Sequence, residues 1–243
     1  MVTDREKTPP KILLALPVFN EEKHLNAVLD KVGKYLQDVV VIDDGSTDET
    51  KLILARRKDV CAISHPKNRG YGRSIIDAFH FAIGCGFDWV MSMDCDLQHE
   101  PSQIPNFLSA IADDDADIIS GSRYLRECPA DDQPPAERRR INKIITETIN
   151  QRLKLNLTDA FCGFKAYRVK SIDRLKLTET GYGLPLQFWV QSAAQQLRIR
   201  EIPVKLIYND PDRHFGGTLD ESKTRLQYYR KVFDNALQEA GLT

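Results

Sequence analysis

The 243-residue sequence has no long apolar segment, no paired cysteine motif and no excess of charge of either sign. No stretch approaches the roughly 18 continuous apolar residues that a membrane-spanning helix needs, so we expect that the chain does not cross a membrane by itself. The five cysteines stand singly, without a CxxC pair. That pattern argues against a disulfide framework and a zinc cluster, and it favours a reducing, cytoplasmic compartment.

The charges balance almost completely, with 34 Lys and Arg against 35 Asp and Glu and a net charge of -1. The protein as a whole therefore does not attract nucleic acid, and any site for a polyanion must be local. A composition of 42% hydrophobic and 28% charged residues is that of an ordinary globular chain rather than a disordered one. The sequence shows no internal repeat and no low-complexity tract.

Short apolar runs alternate with helical patterns through the first half of the chain. Residues 12–16 and 39–42 are unbroken apolar runs, which is typical of strands buried on both faces of a parallel sheet. Further segments of the same half are predicted as strands over 60–63, 88–93 and 117–120, and as helices over 21–36, 47–57, 72–84 and 102–112. This alternation predicts an open α/β sheet of four or five parallel strands, which binds ligands at the carboxyl ends of its strands.

The second half begins with an exposed loop, rich in proline and charge, that leads into a helix over 136–155. Its remaining elements are predicted as a strand over 161–168, a helix over 185–197, a strand over 201–208 and a terminal helix. We expect these elements to pack on the first sheet rather than to form a free-standing domain, so the predicted unit is a single domain over residues 1–243.

Two aspartates, Asp94 and Asp96, follow the fourth predicted strand in the segment MDCDLQHEP. Because alternate residues of an extended backbone point the same way, both carboxylates should face one side. Like charges there repel unless a cation neutralises them, and Mg²⁺ or Mn²⁺ takes oxygen ligands while keeping positions for water or phosphate. The pair predicts a divalent-cation site for a diphosphate ester, with the oxygen of Gln98 nearby and His99 as a weaker candidate ligand. The alternative is a pair of solvated aspartates.

The loops after the first two strands carry further candidates. In DDGS, one carboxylate is suited to accept hydrogen bonds from a base or from ribose hydroxyls, although Asp44 or Ser46 could equally cap the next helix. Phe19, in the first loop, either stacks on a planar base or belongs to the core. The glycines of NRGYG do not form GxGxxG, because position 75 is isoleucine, so a dinucleotide-binding loop is a weak interpretation.

Arginines supply the cationic candidates. Arg123 closes the fifth predicted strand, the run 138–140 opens a helix, and Arg213 and Lys223 flank a glycine-bearing loop. Arginine makes bidentate contacts with phosphate oxygens. We expect Arg123 to point into the same crevice as the carboxylates, whereas the run 138–140 is also compatible with a solvated helix face.

Together, the segments LPVFNEE, VVVIDDGSTD, NRGYG, MDCDLQHEP, SGSRY and TDAFCGFKAYR resemble those of inverting family-two glycosyltransferases. The resemblance spans residues 11–225 and is greatest to the polyprenyl-phosphate (dolichyl-phosphate) mannose synthases. It implies the GT-A fold, a Rossmann-like, mostly parallel sheet flanked by helices. It also implies Mg²⁺- or Mn²⁺-dependent transfer of mannose or glucose from GDP-mannose or UDP-glucose to a polyprenyl phosphate, with no role for nucleic acid.

The resemblance also implies roles for individual residues. The nucleoside would be held by Pro17, Phe19, Glu21, Ile42 and Asp44. Ribose, diphosphate and metal would be held by Asp94, Cys95 and Asp96, with Gln98 completing the metal shell around Asp96. Phosphates of donor and acceptor would be bound by Arg123, Arg213 and Lys223, with Arg140 as a further acceptor contact. The catalytic set is then Asp94, Asp96, Arg123, Arg213 and Lys223.

Residues 11–122 would form the half that binds the nucleotide sugar, 123–225 the acceptor side, and 226–243 a C-terminal helix. A lipid acceptor implies peripheral docking at the cytoplasmic membrane face through loops 124–137 and 209–222, together with a membrane-bound partner protein. A sugar-phosphate nucleotidyltransferase is disfavoured because the first loop is PVFNEE rather than a GxGTR-like loop.

The sequence departs from the usual pattern of these relatives mainly on the acceptor side. Phe19 replaces a usual tyrosine, Gln187 stands where a glutamate is frequent, FCGFKAYR replaces TSGFRAYR, and the loop between Arg213 and Lys223 is longer. Two alternatives therefore stay open. One is a hydroxyl acceptor, which would require a general base near Asp94, Asp159 or Gln187. The other is a non-catalytic protein that binds nucleotide sugars.

Overall fold

The computed structural model describes residues 9–96, 99–125, 136–205, 207 and 221–242. Its strands, in chain order, are β1 (Ile12–Val18), β2 (Val39–Asp43), β3 (Cys61–Ser64), β4 (Trp89–Ser92), β5 (Ile118–Ser122), β6 (Lys165–Arg168) and β7 (Ile199–Pro203). Its α-helices are α1 (Leu25–Val32), α2 (Thr50–Arg56), α3 (Tyr71–Gly84), α4 (Ile104–Ala112), α5 (Ala136–Leu153), α6 (Val169–Ile172), α7 (Leu184–Ala194) and α8 (Ser222–Glu239). A single 3₁₀ turn, Pro101–Gln103, precedes α4.

The strands form one sheet in the order β3-β2-β1-β4-β6-β5-β7. Strands β1 to β4 are mutually parallel, with β1 hydrogen-bonded to both β2 and β4. Strand β6 enters from the second half of the chain and runs antiparallel to β4 and β5, while β7 is parallel to β5. The sheet is therefore mostly parallel, as predicted, and strands from both halves of the chain share it.

Apolar layers cover both faces of the sheet. Along β1, Leu13 and Ala15 face one layer whereas Leu14 and Leu16 face the other, and all four are almost fully buried. Helices α3, α5, α7 and α8 pack on the first face, and α1 and α4 on the second. Because each central strand is buried on both sides, its sequence is an unbroken apolar run rather than an alternating one.

Several elements have bounds that differ from those predicted. Strand β7 was expected over 201–208, but it starts at Ile199 and ends at Pro203 because it pairs with β5 from Ile118 to Ser122 and stops where β5 stops. Helix α2 starts at Thr50 rather than near 47, because the preceding residues form a hydrogen-bonded loop. Among the described residues, no helix combines the length and apolarity needed to span a bilayer.

Candidate active site

A cleft of about 950 Å³ opens at the carboxyl edge of the parallel strands. All four polar loops that follow β1 to β4 contribute to its lining. At this edge the lining comes from the end of β1, these four loops and the first residue of α3: Pro17, Val18, Phe19, Asn20, Glu21, Glu22, Lys23, His24, Asp44, Asp48, Asn68, Gly70, Tyr71, Asp94, Cys95 and Asp96. This convergence follows from the parallel arrangement, since parallel strands bring their carboxyl ends to one edge.

The loop after β1 holds Phe19 outward, into the cleft. Phe19 is 43% exposed and lines the cleft, so it is not a core residue. The next residue, Asn20, has a positive φ of 57° and is tied to the loop after β2. Its backbone N–H donates to Ser46 Oγ at 2.9 Å, and its Oδ1 accepts the Thr47 N–H at 2.8 Å. The two loops therefore form one rigid wall of the cleft.

Asp44 joins that wall to the start of α3. Its carboxylate accepts the backbone N–H groups of Arg69 and Gly70 at 2.8 and 2.9 Å and contacts His65 Nδ1 at 2.6 Å. Asp44 lines the cleft but is only 4% exposed. The alternative in which Asp44 or Ser46 caps the next helix does not hold, because α2 begins after Glu49 and the N–H of its first residue, Thr50, donates to Asp48 Oδ1 at 3.0 Å. Asp44 instead has a structural role at this wall of the cleft.

Asp94 and Asp96 both line the cleft just beyond β4. The Asp94 N–H donates to His99 Nδ1 at 3.2 Å, and His99 is buried beneath the motif. The Asp94 carboxylate lies directly over Gly163, where an added Cβ would come within 2.3 Å of Oδ2. His99 therefore supports the backbone of the motif from the interior, and the glycine leaves the room that the carboxylate occupies.

The oxygen donors of this motif suit a hard divalent cation. Asp96 is buried against the cleft, and the part of the chain that the structure describes contains no ready-made cluster of three His, Cys, Asp or Glu ligands. Gln98, predicted to complete the shell, lies outside the described residues. Mg²⁺ and similar ions are usually held by one or two carboxylates together with substrate phosphates, rather than by an all-protein cage. The residues present therefore fit an ion that binds together with a diphosphate.

Arg123 reaches the cleft from the end of β5 and forms an ion pair with Asp159. Arg123 Nε and Nη2 donate to the two Asp159 oxygens at 2.6 and 2.9 Å, and Asn142 Nδ2 adds a bond at 2.9 Å. Burial alone would raise the pKa of the Asp159 carboxyl, but the charge and hydrogen bonds of Arg123 outweigh it and hold that pKa well below its usual range. Asp159 is therefore a fixed anion that orients Arg123 and is unsuited to act as a general base.

The remaining lining of the cleft is largely apolar and aromatic. It comes from α3, α5, α7, α8, strand β6 and the connecting segments: Tyr71, Ile75, Phe79, Tyr124, Ile141, Phe161, Tyr167, Tyr182, Leu184, Pro185, Phe188 and Tyr229. We call this set the aromatic half of the cleft. Within it, the rings of Tyr71 and Tyr182 stack at a centroid distance of 5.9 Å.

Residues 14–176 match the family described as Glycosyl transferase family 2. The chain belongs to this family. It is 28% identical over 225 residues to the undecaprenyl-phosphate mannosyltransferase of Micrococcus luteus, covering 87% of this chain and 90% of that protein. It is also 32% identical to an undecaprenyl-phosphate 4-deoxy-4-formamido-L-arabinose transferase of Edwardsiella ictaluri, which it matches over 82% of its own length and 61% of the relative's.

The fold is also that of a solved structure whose name differs from those of the two relatives above. Glucosyl-3-phosphoglycerate synthase of Mycobacterium tuberculosis, in complex with Mn²⁺, uridine diphosphate and phosphoglyceric acid, superposes with a TM-score of 0.71. The match covers 96% of this chain and 80% of that one at 16% identity. These findings confirm the predicted GT-A fold, the family resemblance and the assignment as a glycosyltransferase.

The cationic residues of this family-two glycosyltransferase do not all reach the cleft. Arg138 lines it, whereas Arg140 and Lys223 are exposed and are not part of its lining. Arg213 lies outside the described residues. Arg225 lines the cleft and is 4% exposed, and our sequence interpretation missed it. Its spacing of four residues from the buried Tyr229 on α8 is the signal that would have placed it on the inner helix face.

Two other predicted positions lie behind the cleft. The Ile42 side chain is fully buried in the core, so only its backbone could serve a nucleoside. Gln187 is also buried, and its Oε1 accepts the N–H groups of Thr178 and Glu179 at 2.8 and 2.9 Å. It therefore braces the loop before α7, and neither Gln187 nor the neighbouring Glu179 and Glu239 belong to the cleft lining.

Proposed function

We propose that this glycosyltransferase moves a hexose, mannose or glucose, from GDP-mannose or UDP-glucose onto a polyprenyl phosphate with inversion at the sugar carbon. The proposal rests on the two-part cleft, in which the carboxylates Asp94 and Asp96 share one space with the aromatic half and with Arg123. A nucleotide sugar suits the first part, and an anionic lipid suits the second. Relatives named as undecaprenyl-phosphate and dolichol-phosphate mannosyltransferases support this choice of acceptor.

At the donor end, the Phe19 ring stacks on the base, and Pro17, Glu21 and Asp44 surround the nucleoside, with Ile42 behind them. Cys95 lies between the two aspartates, beside the ribose and diphosphate. Mg²⁺ or Mn²⁺ held by Asp96 and Gln98 would neutralise the negative charge that develops on the leaving diphosphate. Arg213 remains a proposed contact of that diphosphate, and Lys223, which is exposed and outside the cleft lining, is proposed to reach it with its long side chain when the donor is bound.

At the acceptor end, the attacking phosphate oxygen is already anionic at neutral pH. No general base is then required, which agrees with the engagement of Asp159 by Arg123. Arg123, held in one orientation by that pair, binds the acceptor phosphate and aligns its oxygen with the sugar carbon. Arg140, on the exposed face of α5, meets the lipid headgroup region outside the cleft.

We place the enzyme at the cytoplasmic membrane face, docked peripherally through the loops 124–137 and 209–222, most of which lie outside the described residues. Arginines near an anionic surface each contribute roughly 1 kcal/mol of attraction. Leu125, which is 42% exposed, is a described apolar side chain of the first loop. Such weak docking favours a membrane-bound partner protein that retains the enzyme beside its acceptor.

The test is transfer of radiolabelled sugar from GDP-mannose or UDP-glucose to a short-chain polyprenyl phosphate in detergent, with Mn²⁺ or with EDTA. We expect transfer from one donor with Mn²⁺, none with EDTA, and none by Asp96→Ala. The substitution Arg123→Ala should lower the rate of sugar transfer by at least tenfold. Asp115→Ala, which removes an exposed carboxylate outside the cleft, should transfer like the parent.

Transfer to a soluble hydroxyl acceptor but to no polyprenyl phosphate would contradict the lipid acceptor while leaving glycosyl transfer intact. Equal transfer with EDTA and with Mn²⁺ would contradict the proposed requirement for a divalent metal ion. Donor binding without any transfer or donor hydrolysis would indicate a non-catalytic binding protein.

A further inference from the structure

Lys165 occupies a central position in the cleft that the proposed mechanism does not use. It is the first residue of β6, the antiparallel strand between β4 and β5. In the sheet register it pairs with Ser92 of β4 on one side and Ser120 of β5 on the other. The strand ends that carry Asp94 and Arg123 therefore flank Lys165.

The Lys165 amine is buried yet belongs to the cleft. The residue is 4% exposed and lines the cleft beside Tyr167 and Phe188. Its Nζ donates to the Cys162 carbonyl oxygen and lies 5.6 Å from the centre of the Trp189 ring. These two partners hold the amine at the floor of the aromatic half, where it faces the space available to a ligand.

No carboxylate neutralises this amine directly. Among the described residues, Lys165 makes no ion pair, and Asp159 is engaged by Arg123. Burial lowers the pKa of Lys165, against the opposing influence of the Asp159 and Asp94 charges. A buried cation paired only with a carbonyl and a ring is costly. An anionic ligand oxygen in the cleft would supply the missing charge-assisted hydrogen bond.

We infer that Lys165 binds the phosphate group of the acceptor and positions it between the donor sugar and Arg123. The inference rests on the proposed function, because it concerns the acceptor of that reaction. The Lys165 side chain lies on the same face of the sheet as Tyr167, the face that α3, α5, α7 and α8 cover, so its neighbours are aromatic residues of the acceptor side. The loops after β1 and β2, which line the nucleotide end, lie across β4 from it. A phosphate oxygen of the donor diphosphate has the same chemistry, and the experiment separates the two sources.

The experiment compares Lys165→Met, which removes the charge at similar length, with Lys165→Arg, which keeps it. Calorimetry would measure Kd for farnesyl phosphate and, separately, for GDP and UDP with Mn²⁺. We expect Lys165→Met to weaken farnesyl phosphate binding at least tenfold and to raise the acceptor KM similarly, with nucleotide Kd unchanged. Lys165→Arg should stay within about threefold of the parent. Lys170→Met, at an exposed lysine just after the same strand, should change neither Kd.

A loss confined to nucleotide binding would overturn the assignment to the acceptor, and unchanged Kd values for both ligands would reduce Lys165 to a packing role. Thermal unfolding checks that each variant is folded. If Lys165→Met does not fold, acetylation of Lys165 in the parent decides, because farnesyl phosphate should protect the amine and GDP with Mn²⁺ should not. If the parent does not bind farnesyl phosphate at all, the proposed function fails. In that case, protection of the Lys165 amine from acetylation by inorganic phosphate would still support an anion site at Lys165. Absence of such protection would overturn the anion site as well.

Discussion

Arg123 and Asp159 show how a single buried pair shapes the cleft. Asp159 is completely buried, and it accepts hydrogen bonds from Arg123, Asn142 and the backbone N–H of Phe161. Removing one partner from a buried ion pair typically costs about 3–5 kcal/mol, because the other charge is left uncompensated. Arg123 is thus available to a phosphate only in the orientation that Asp159 imposes, which limits the direction from which an acceptor can approach.

Phe19 is the residue through which stacking on the nucleotide base can be tested. Because a ring contact contributes about 0.5–1.5 kcal/mol, Phe19→Ala should weaken GDP or UDP binding by about two- to thirteenfold, whereas Phe19→Tyr should bind like the parent. Calorimetry with Mn²⁺ present measures both. Tyr35→Ala removes another exposed aromatic ring, one outside the cleft lining, and serves as the control. Parental affinity in Phe19→Ala would show that the ring does not stack on the base.

Two Gly-Tyr-Gly turns meet at the mouth of the cleft and connect its two ends. The first, residues 70–72, starts α3, and the second, residues 181–183, precedes α7. The Arg73 N–H donates to the Thr180 carbonyl at 3.0 Å, and the tyrosines of the two turns stack. The first turn is also bound to Asp44 through Gly70 N–H. The wall formed by the loops after β1 and β2 and the loop carrying Tyr182 therefore form one packed unit.

Gly70 is the position on which this packing depends most. Its φ of 100° is strained for any residue with a side chain, and an added Cβ would lie 2.3 Å from the Thr180 carbonyl oxygen. We expect Gly70→Ala to lower the free energy of unfolding by at least about 2 kcal/mol, since the left-handed backbone alone costs about 1–2 kcal/mol. Urea unfolding measures the change.

Gly84→Ala is the matched control for that substitution. Gly84 lies in the last turn of α3, and an added Cβ there meets no atom within 4 Å. Alanine should therefore be neutral or stabilise the protein by up to about 1 kcal/mol. Equal stability of the two variants would contradict the close packing of the Gly-Tyr-Gly turns.

A network of charged side chains lies at the amino-terminal ends of β5 and β7, away from the cleft. Asp117, just before β5, accepts hydrogen bonds from the Arg198 backbone N–H at 3.0 Å and from Arg198 Nε at 3.1 Å. The Arg198 hydrogen bonds are the main cause that lowers the pKa of Asp117 to about 2. The network joins the start of β5 to the start of β7. Protonation of Asp117 should therefore lower the stability of the sheet.

This low pKa predicts how stability depends on pH. In the unfolded chain the Asp117 pKa is about 3.9, so its stabilisation is present above about pH 4 and is lost as pH falls towards 2. Asp117→Asn should lower the free energy of unfolding by about 1–2 kcal/mol at neutral pH, allowing for the exposure of Arg198, and by less at pH 2. Urea unfolding across pH 7 to 2 measures this difference. If the difference in free energy of unfolding between the parent and Asp117→Asn stays constant from pH 7 to 2, the low pKa of Asp117 is contradicted.

Local sequence patterns were enough to predict the parallel part of the sheet and the loops that line the cleft at its carboxyl edge. Buried parallel strands require unbroken apolar runs, and their carboxyl ends meet at one edge, so the loops of PVFNEE, DDGSTD and DCDLQH had to face the same space. Asp94 and Asp96 both line the cleft, but β4 ends at Ser92, so the alternation of an extended strand does not determine the directions of their side chains. Periodicity and strand polarity are local properties, which is why the fold and the position of the carboxylates could be predicted without coordinates.

Only the tertiary structure decided which residues from distant segments complete the cleft. The insertion of β6 between β4 and β5 brings Lys165 between Asp94 and Arg123, and helix packing brings Arg225 inward while Arg140 stays exposed. The Asp159 carboxylate, a base candidate in the sequence, becomes the fixed partner of Arg123 across 36 residues. These arrangements depend on long-range contacts, and no periodic pattern within one element specifies which distant element will pack against it.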